Sequence, residues 1–235
     1  MTDTAPDLAA MFDVELEGEN LPEPSWNVKP TEQIPIVLES MKSDPAVRRL
    51  ESARWSLIPT FSPELTAPFP TFNARSETVA EKPTFRTALA KTRAIVPTTG
   101  YFEWHTEGTV KTPYFVHSDD GLPLALAGLY SWWRNPALDN TDPARWVLTA
   151  TILTGPAQGG LTGIHDRMPV VLPEEWWDRW LDPHTEGNQA LVDAVVDASR
   201  HAAAELAFYP VAPITGNDAD TIEPVGPERE VGYSA

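Results

Sequence analysis

Hydrophobic and polar residues alternate over several short stretches of the chain, and this pattern predicts strands more often than helices. Alternation and β-branched residues predict one strand in SWNVKPTEQIPIVLES, after Pro30, and another in RRLESARWSLIPTF, which Pro59 closes. Apolar runs predict further strands in RAIVP, TPYFVHS, LALAGLYSWW and WVLTATILT. The fold should therefore be rich in strands.

Helical spacing of apolar residues is confined to a few places. It predicts a short helix over 7–12, a second over 84–91 and a long one over 186–205. PEEWWDRWLD also suits a helix, because Pro173 and two Glu residues fit a first helical turn. The chain length predicts a single domain over 1–225. The polar segment 226–235 is expected to be a disordered tail.

Composition narrows the class of protein. No run approaches the roughly 18 apolar residues of a membrane span, and no basic and apolar leader opens the chain, so a cytoplasmic protein without membrane contact is expected. The absence of cysteine excludes disulfides, thiolate metal sites and a cysteine nucleophile in this sequence. A net charge of −17 argues against nonspecific coating of nucleic acid.

A basic cluster between positions 75 and 93 departs from this acidic background. It could form a local groove for phosphates, or it could be an ordinary solvated face. Its members are Arg75, Lys82, Arg86, Lys91 and Arg93.

Four separate stretches place polar side chains beside strand-like runs: FNARSET, GYFEW, TATILT and GIHDRMP. Glu103 lies among aromatic residues, which should raise its pKa and suit it to proton transfer, although an exposed strand glutamate is the alternative. His165 titrates near neutral pH and could act as acid or base, or it could be a structural histidine.

Other side chains in or near these stretches could contact a nucleic acid. Arg75 and Arg167 could hold phosphates, with surface ion pairs as the alternative. Trp104, Phe72 and Phe61 could stack on unpaired bases, with core packing as the alternative. The five His residues are scattered, no HExxH or GxSxG motif occurs, and no metal or cofactor is expected.

Five ordered motifs resemble the SRAP family, the SOS response-associated peptidases. They are NARSETVAEKPTFR, RAIVPTTGYFEW, KTPYFV, LALAGLYSWW and IHDRMPVVLPEEWWDRWL. The resemblance extends to SWNVKPT, RRLESARWSLIP and TIEPV, and so covers nearly the whole chain. It implies a single α+β domain with a curved, largely antiparallel, barrel-like sheet and flanking helices. It also implies a monomer that binds abasic sites in single-stranded DNA, and that is nucleoid-associated when bound.

The resemblance assigns roles to individual residues. Asn73 would hold the opened sugar and order the amino-terminal residue, Glu103 would shuttle protons around a Schiff base, and His165 would assist ring opening. Arg75 and Arg167 would bind backbone phosphates, and Thr154 would line the same pocket; Arg86 is added as a DNA contact from the basic cluster. The peptidase name fits self-removal of the leading residue.

The chain departs from the family at its start. The family begins Met-Cys-Gly-Arg, and its amino-terminal cysteine traps the abasic aldehyde as a stable thiazolidine; here the second residue is Thr2. We expect a true start about six residues upstream, within a segment resembling MCGRFVM. The alternative is a cysteine-free protein that binds single-stranded or abasic DNA noncovalently, or that acts as a weak Schiff-base lyase.

Overall fold

The structure is a computed structural model that describes residues 1–41 and 45–231. In chain order its strands are β1 Leu16–Glu17, β2 Gln33–Ser40, β3 Val47–Trp55, β4 Asn73–Arg75, β5 Arg93–Thr98, β6 Gly100–Glu107, β7 Val110–Ser118, β8 Leu124–Arg134, β9 Trp146–Pro156, β10 Arg167–Pro169, β11 Leu206–Pro210 and β12 Arg229–Glu230. Its α-helices are α1 Ala5–Met11, α2 Pro83–Lys91, α3 Trp177–Leu181 and α4 Gln189–Ala204.

Five strands form a closed barrel. The antiparallel neighbours run β3, β2, β5, β8 and β9. A short parallel pairing of β9 with β3 closes the ring, through Arg54 opposite Thr149 and Trp55 opposite Ala150. Strands β1, β4 and β10 extend the same sheet, and the α+β class with a largely antiparallel, barrel-like sheet and flanking helices is thereby confirmed.

A second sheet leaves the barrel directly. It contains β6, β7, β11 and β12, and β6 starts only two residues after the end of β5. Gly100 allows this close passage, since a Cβ there would lie 2.4 Å from Phe115 Cζ and 2.5 Å from the Val116 carbonyl oxygen. A single turn therefore carries the chain from the barrel wall into the sheet that holds Glu103.

Two apolar clusters stabilise these layers. One packs the helices against the barrel and includes Trp180, Leu89 and Val192. The other joins the barrel to the second sheet and includes Ile36, Leu126 and Val116. Strand β8 contributes to both clusters because it is covered on both faces, which explains its nearly uninterrupted apolar sequence.

The main predicted strands and helices are confirmed within a few residues, with local corrections. The predicted helix in PEEWWDRWLD is a 3₁₀ turn, Glu174–Trp176, followed by α3. The predicted disordered tail is wrong for its first part, because β12 pairs with β11 and Val231 is buried. The last four residues, 232–235, lie outside the described residues. Within the part of the chain that is described, no helix is long and apolar enough to cross a membrane.

Candidate functional site

A cavity of about 670 Å³ is lined by both sheets and by the amino terminus. A cavity of this size falls in the range of pockets that bind small molecules. Eight of the ten side chains singled out from the sequence line it: Phe72, Asn73, Arg75, Glu103, Trp104, Thr154, His165 and Arg167. The fold therefore gathers residues that are as far apart as 72 and 167 in the sequence.

Strand β9 brings three of the four sequence stretches together. On one side it pairs in parallel with β4, which places Asn73 opposite Ile152 and Arg75 opposite Thr154. On the other side it pairs antiparallel with β10, which places Pro169 opposite Thr154 and Arg167 opposite Pro156. The end of β9 therefore holds Asn73, Arg75 and Arg167 on adjacent strands.

Glu103 and His165 lie close together in the cavity. Oε1 of Glu103 lies 3.9 Å from Nδ1 of His165, and the two side chains are 20% and 44% exposed. Burial raises the pKa of Glu103 above its ordinary value, against the opposing effect of the His165 charge. The predicted rise in pKa is confirmed, and the alternative of a freely exposed strand glutamate is wrong.

The orientation of His165 follows from the local backbone. The 3₁₀ turn Gly159–Gly163 is anchored by buried Leu161, whose carbonyl accepts from the His165 amide at 3.0 Å. His165 Nδ1 lies 3.1 Å from both the amide nitrogen and the carbonyl oxygen of Arg167, so the backbone of Arg167 fixes this nitrogen. The imidazole is thus held with one nitrogen fixed to the backbone.

Arg167 is held by several partners. Its two terminal nitrogens each donate to one carboxylate oxygen of Glu77 at 2.9 Å. Its Nε donates to Thr154 Oγ1 at 3.2 Å, and one terminal nitrogen also donates to the Thr154 carbonyl at 2.6 Å. The pairing holds the pKa of Glu77 below its usual value. The ion-pair alternative thus describes Arg167, while Arg75 is exposed on the cavity lining.

Aromatic side chains form much of the wall. Phe72 is half-buried and meets Trp55 edge to face with ring centroids 5.9 Å apart. Trp104 is 38% exposed, and the ammonium of Lys111 lies 5.3 Å from its ring centroid. Exposed ring faces beside a cation can stack on bases and attract phosphate, which suits the predicted contacts of Phe72 and Trp104.

The amino terminus of the chain lies at the cavity wall. The Met1 amine donates to the Ser25 carbonyl at 2.6 Å, and the Thr2 amide donates to Thr99 Oγ1 at 2.8 Å. The Thr99 hydroxyl in turn donates to Asp3 at 2.8 Å. Burial lowers the pKa of the Met1 amine to about 6, against the opposing charge of Asp3.

Three members of the predicted basic and aromatic surface lie elsewhere. Phe61 is 68% exposed on a loop and Arg86 is exposed on α2, and neither lines the cavity. Arg93 is 2% exposed and donates to backbone carbonyls on the far end of α2. The predicted basic cluster is therefore wrong as a single groove, because Arg75 lines the cavity from β4, Arg86 is exposed on α2 and Arg93 is buried at the start of β5.

Sequence reasoning missed several lining residues, including Met1, Thr2, Trp26, Asn27 and Tyr101. The SWN triplet belonged to a stretch quoted for the family resemblance, so its signal was present but no role was assigned to it. Tyr101 precedes Glu103 by two residues, and this strand spacing places both side chains on one face of β6. Burial raises the pKa of Tyr101 well above its ordinary range, so its phenol stays protonated.

Among residues 1–41 and 45–231, no group of three or more His, Asp or Glu side chains is placed to hold a metal ion. The reactive groups at hand are an amine, a carboxyl, an imidazole and hydroxyls. Such groups can exchange protons and add to a carbonyl without a metal.

The chain is similar to a known protein family and to several individual proteins. The family model "SOS response associated peptidase (SRAP)" matches residues 1–217. The chain is 35% identical over 161 residues to the abasic site processing protein YoqW of Bacillus subtilis, covering 68% of this chain and 67% of that protein. It is 33% identical over 160 residues to the abasic site processing protein YedK of Escherichia coli, covering 66% and 68%.

A more distant relative and a solved structure extend the match. The mouse abasic site processing protein HMCES is 27% identical over 229 residues, which cover 83% of this chain and 62% of that protein. A crystal structure of a Bacteroides thetaiotaomicron protein superposes with a TM-score of 0.75 at 25% identity, covering 96% of this chain and 97% of that one. From the extent of the family match and these likenesses, we conclude that the chain belongs to the SRAP family.

Proposed function

We propose that this protein binds abasic sites in single-stranded DNA in the cavity of Glu103 and His165, and processes them through an amine at its amino terminus. The observation that carries the proposal is that the amino-terminal segment, a carboxyl of raised pKa and an imidazole line one cavity. The names of the relatives point the same way, since they are abasic site processing proteins.

The chemistry begins with the ring-opened sugar, which carries an aldehyde. The lone pair of the amine adds to the carbonyl carbon, and the resulting carbinolamine loses its hydroxyl as water to give a Schiff base. Glu103, whose pKa is raised by burial, supplies a proton to the departing hydroxyl, and His165 removes a proton from nitrogen. With an amino-terminal cysteine, the thiol would then add across the C=N bond and close a thiazolidine.

The surrounding residues fit a DNA strand with one base missing. Asn73 and Arg75 project from β4 at one side of the cavity, where an amide could hold sugar hydroxyls and a guanidinium could hold a phosphate. Trp104 and Phe72 offer aromatic surfaces for the bases that flank the gap. An abasic site suits such a cavity because the missing base leaves room for the protein backbone beside the sugar.

A noncovalent binder is the second candidate, and the absence of cysteine from the sequence is the observation that favours it. Without the thiol, a Schiff base remains open to hydrolysis or to strand cleavage by β-elimination. Binding without a lasting adduct would then be the whole activity of the chain. The two candidates differ in one measurable property, the stability of the complex to heat and denaturant.

The test compares two proteins with an abasic oligonucleotide and an intact control of the same sequence. One protein is the chain as printed, and the other carries six added residues, Met-Cys-Gly-Arg-Phe-Val, before Met1. Denaturing gels and intact mass measure the products, with borohydride added to one set to trap a Schiff base. We expect a heat-stable adduct for the extended protein and a borohydride-dependent adduct for the printed chain.

The other outcomes separate the two candidates. Preferential binding of the abasic strand with no adduct under either condition would favour the noncovalent binder. Equal affinity of both proteins for the abasic and the intact strand, with no adduct, would overturn the proposed function. Because Met1 lies at the cavity wall, the added residues start beside the cavity that holds Glu103.

A further inference from the structure

The loop of residues 25–27, here called the SWN loop, forms the side of the cavity nearest the amino terminus. Trp26 and Asn27 line the cavity, and Ser25 lies beside them. The loop belongs to a stretch without helix or strand, so its shape is not set by a ladder of backbone hydrogen bonds. Some other contact must fix it if the cavity is to keep its shape.

That contact comes from far along the sequence. The side-chain oxygen of Asn217 accepts three hydrogen bonds, from Ser25 Oγ at 3.0 Å, the Trp26 amide at 2.8 Å and the Asn27 amide at 2.9 Å. The Asn27 side chain also donates to the carbonyl of Gly216 at 2.8 Å. Four bonds therefore tie three consecutive residues to one short segment.

The SWN loop in turn holds the amino terminus. The Met1 amine donates to the Ser25 carbonyl at 2.6 Å, and the Ser25 amide donates to the Met1 carbonyl at 2.7 Å. This reciprocal pair fixes the direction in which the chain enters the cavity. Any displacement of Ser25 therefore moves the amine as well as the cavity wall.

The segment that carries Asn217 is itself well anchored. The next residue, Asp218, caps the 3₁₀ turn Ala219–Ile222 through a reciprocal capping box with Thr221, which is buried. Ile222, at the end of that turn, lines the same cavity. Beyond it, the Val225 amide donates to the Pro210 carbonyl at 2.9 Å, next to the second sheet. Asn217 thus connects the SWN loop, which lacks helix and strand, to an anchored segment.

From these contacts we infer that Asn217 is a positioning residue of the site: its side-chain oxygen fixes the SWN loop, and through it the amino-terminal segment at the cavity wall. This inference rests on the proposed function for its consequence, but the clamp itself is independent of any ligand. Asn217 does not line the cavity, so it acts through Ser25, Trp26 and Asn27 and not by contact with DNA.

The test uses two variants of the full chain. Asn217→Ala removes the acceptor oxygen, whereas Asn217→Asp keeps an oxygen in the same place. Hydrogen exchange of the Trp26 and Asn27 amides reports on the clamp without DNA. We expect exchange to be at least about tenfold faster in the alanine variant and close to that of the unmodified protein in the aspartate variant.

Affinity for an abasic oligonucleotide is measured on the same proteins, at a salt concentration that screens the added charge of the aspartate. We expect about fivefold to tenfold weaker binding for alanine and near-complete recovery for aspartate, with similar unfolding midpoints for all three. Unchanged exchange in the alanine variant would overturn the inference, as would faster exchange with unchanged affinity. If the unmodified protein does not bind abasic DNA, the proposed function fails, and the exchange data alone decide whether Asn217 fixes the loop.

Discussion

Two regions of this molecule that contain buried polar groups differ in how completely those groups are hydrogen-bonded. In the first, on the helical side of the barrel, the Arg93 guanidinium is 2% exposed and all of its nitrogens donate to backbone carbonyls. The acceptors belong to Leu89, Ala90, Trp180, Asp182 and Thr185. One side chain thereby satisfies the ends of α2 and α3, and no ligand could find a donor there.

In the second region, the cavity, polar groups are left incompletely paired. The Tyr101 hydroxyl is buried without a hydrogen-bond partner among the described residues. Glu103 is partly buried with only a bond from the adjacent Trp104 amide at 3.3 Å and with His165 at 3.9 Å. Leaving buried polar groups unpaired costs stability. The complete bonding of Arg93 therefore stabilises the fold, whereas the incompletely paired groups of the cavity remain available to a ligand.

The largest effect should be the loss of stability on replacing Arg93, whose guanidinium nitrogens all donate hydrogen bonds. Arg93→Leu leaves several buried carbonyls without donors, and we expect it to destabilise the protein by at least about 3 kcal/mol. Arg93→Lys should be intermediate, since an ammonium has three donors where the guanidinium has five. Urea unfolding measures both. A loss below about 1 kcal/mol for the leucine variant would mean that water replaces the guanidinium and that the region is not a structural centre.

The next largest effect concerns Glu103 in the cavity, where we expect a loss of activity without a loss of stability. Glu103→Gln removes the acid but keeps the shape, so we expect the rate of adduct formation to fall about 100-fold or more. Stability should not fall, because a partly buried carboxyl with few partners is replaced by a neutral group. Single-turnover gels measure the rate, and denaturant unfolding at neutral pH measures the stability. An unchanged rate would remove Glu103 from the proposed proton transfers.

The same variant should change the pH dependence of stability. Because folding raises the pKa of Glu103 above its ordinary value of 4.5, the folded state binds its proton more tightly than the unfolded state does. This carboxyl therefore favours folding most at low pH, and that contribution is lost as pH rises from 4.5 through the raised value. The stability of Glu103→Gln relative to the unmodified protein should increase over that interval.

A smaller effect on DNA binding should distinguish Arg75 from Arg86, two exposed arginines of the same basic cluster in the sequence. Arg75 lines the cavity and Arg86 does not, although both are exposed. We expect Arg75→Ala to weaken binding of single-stranded DNA severalfold and to lower the slope of log affinity against log salt by about 0.7. Arg86→Ala, the matched control, should change neither quantity measurably. Equal losses in both variants would extend the binding surface onto α2.

Much of the fold was predictable because the hydrophobic pattern of a helix or strand lies within one short segment of the sequence. Strand β8 reads as an apolar run and α2 reads as an amphipathic helix, and both form where expected. Strands β4 and β10 have only three residues each and were missed, since they exist only through pairing with β9. A three-residue strand has no period to detect, so its position depends on contacts that the sequence does not display.

Residues of the candidate site were predictable where they lie in sequence motifs of the family. Asn73, Glu103 and His165 were found because their neighbours match the family, and the structure brings all three to one cavity. Arg86 and Phe61 were assigned from charge or aromatic type alone, and both lie outside it. Asn217 was missed because its role depends on backbone amides 191 and 190 positions away, and backbone groups look the same in every sequence.

The closed barrel has a further consequence for the newly made chain. Strands β3 and β9 meet through only two residue pairs, and nearly a hundred positions separate Arg54 from Thr149. Such a distant junction forms late in folding, and until it forms both strands present unpaired edges on which other chains can add. Once it closes, β3 and β9 are paired with each other at this point. The seam beside the cavity therefore also protects the folded protein against aggregation, and the period of risk is confined to its synthesis and refolding.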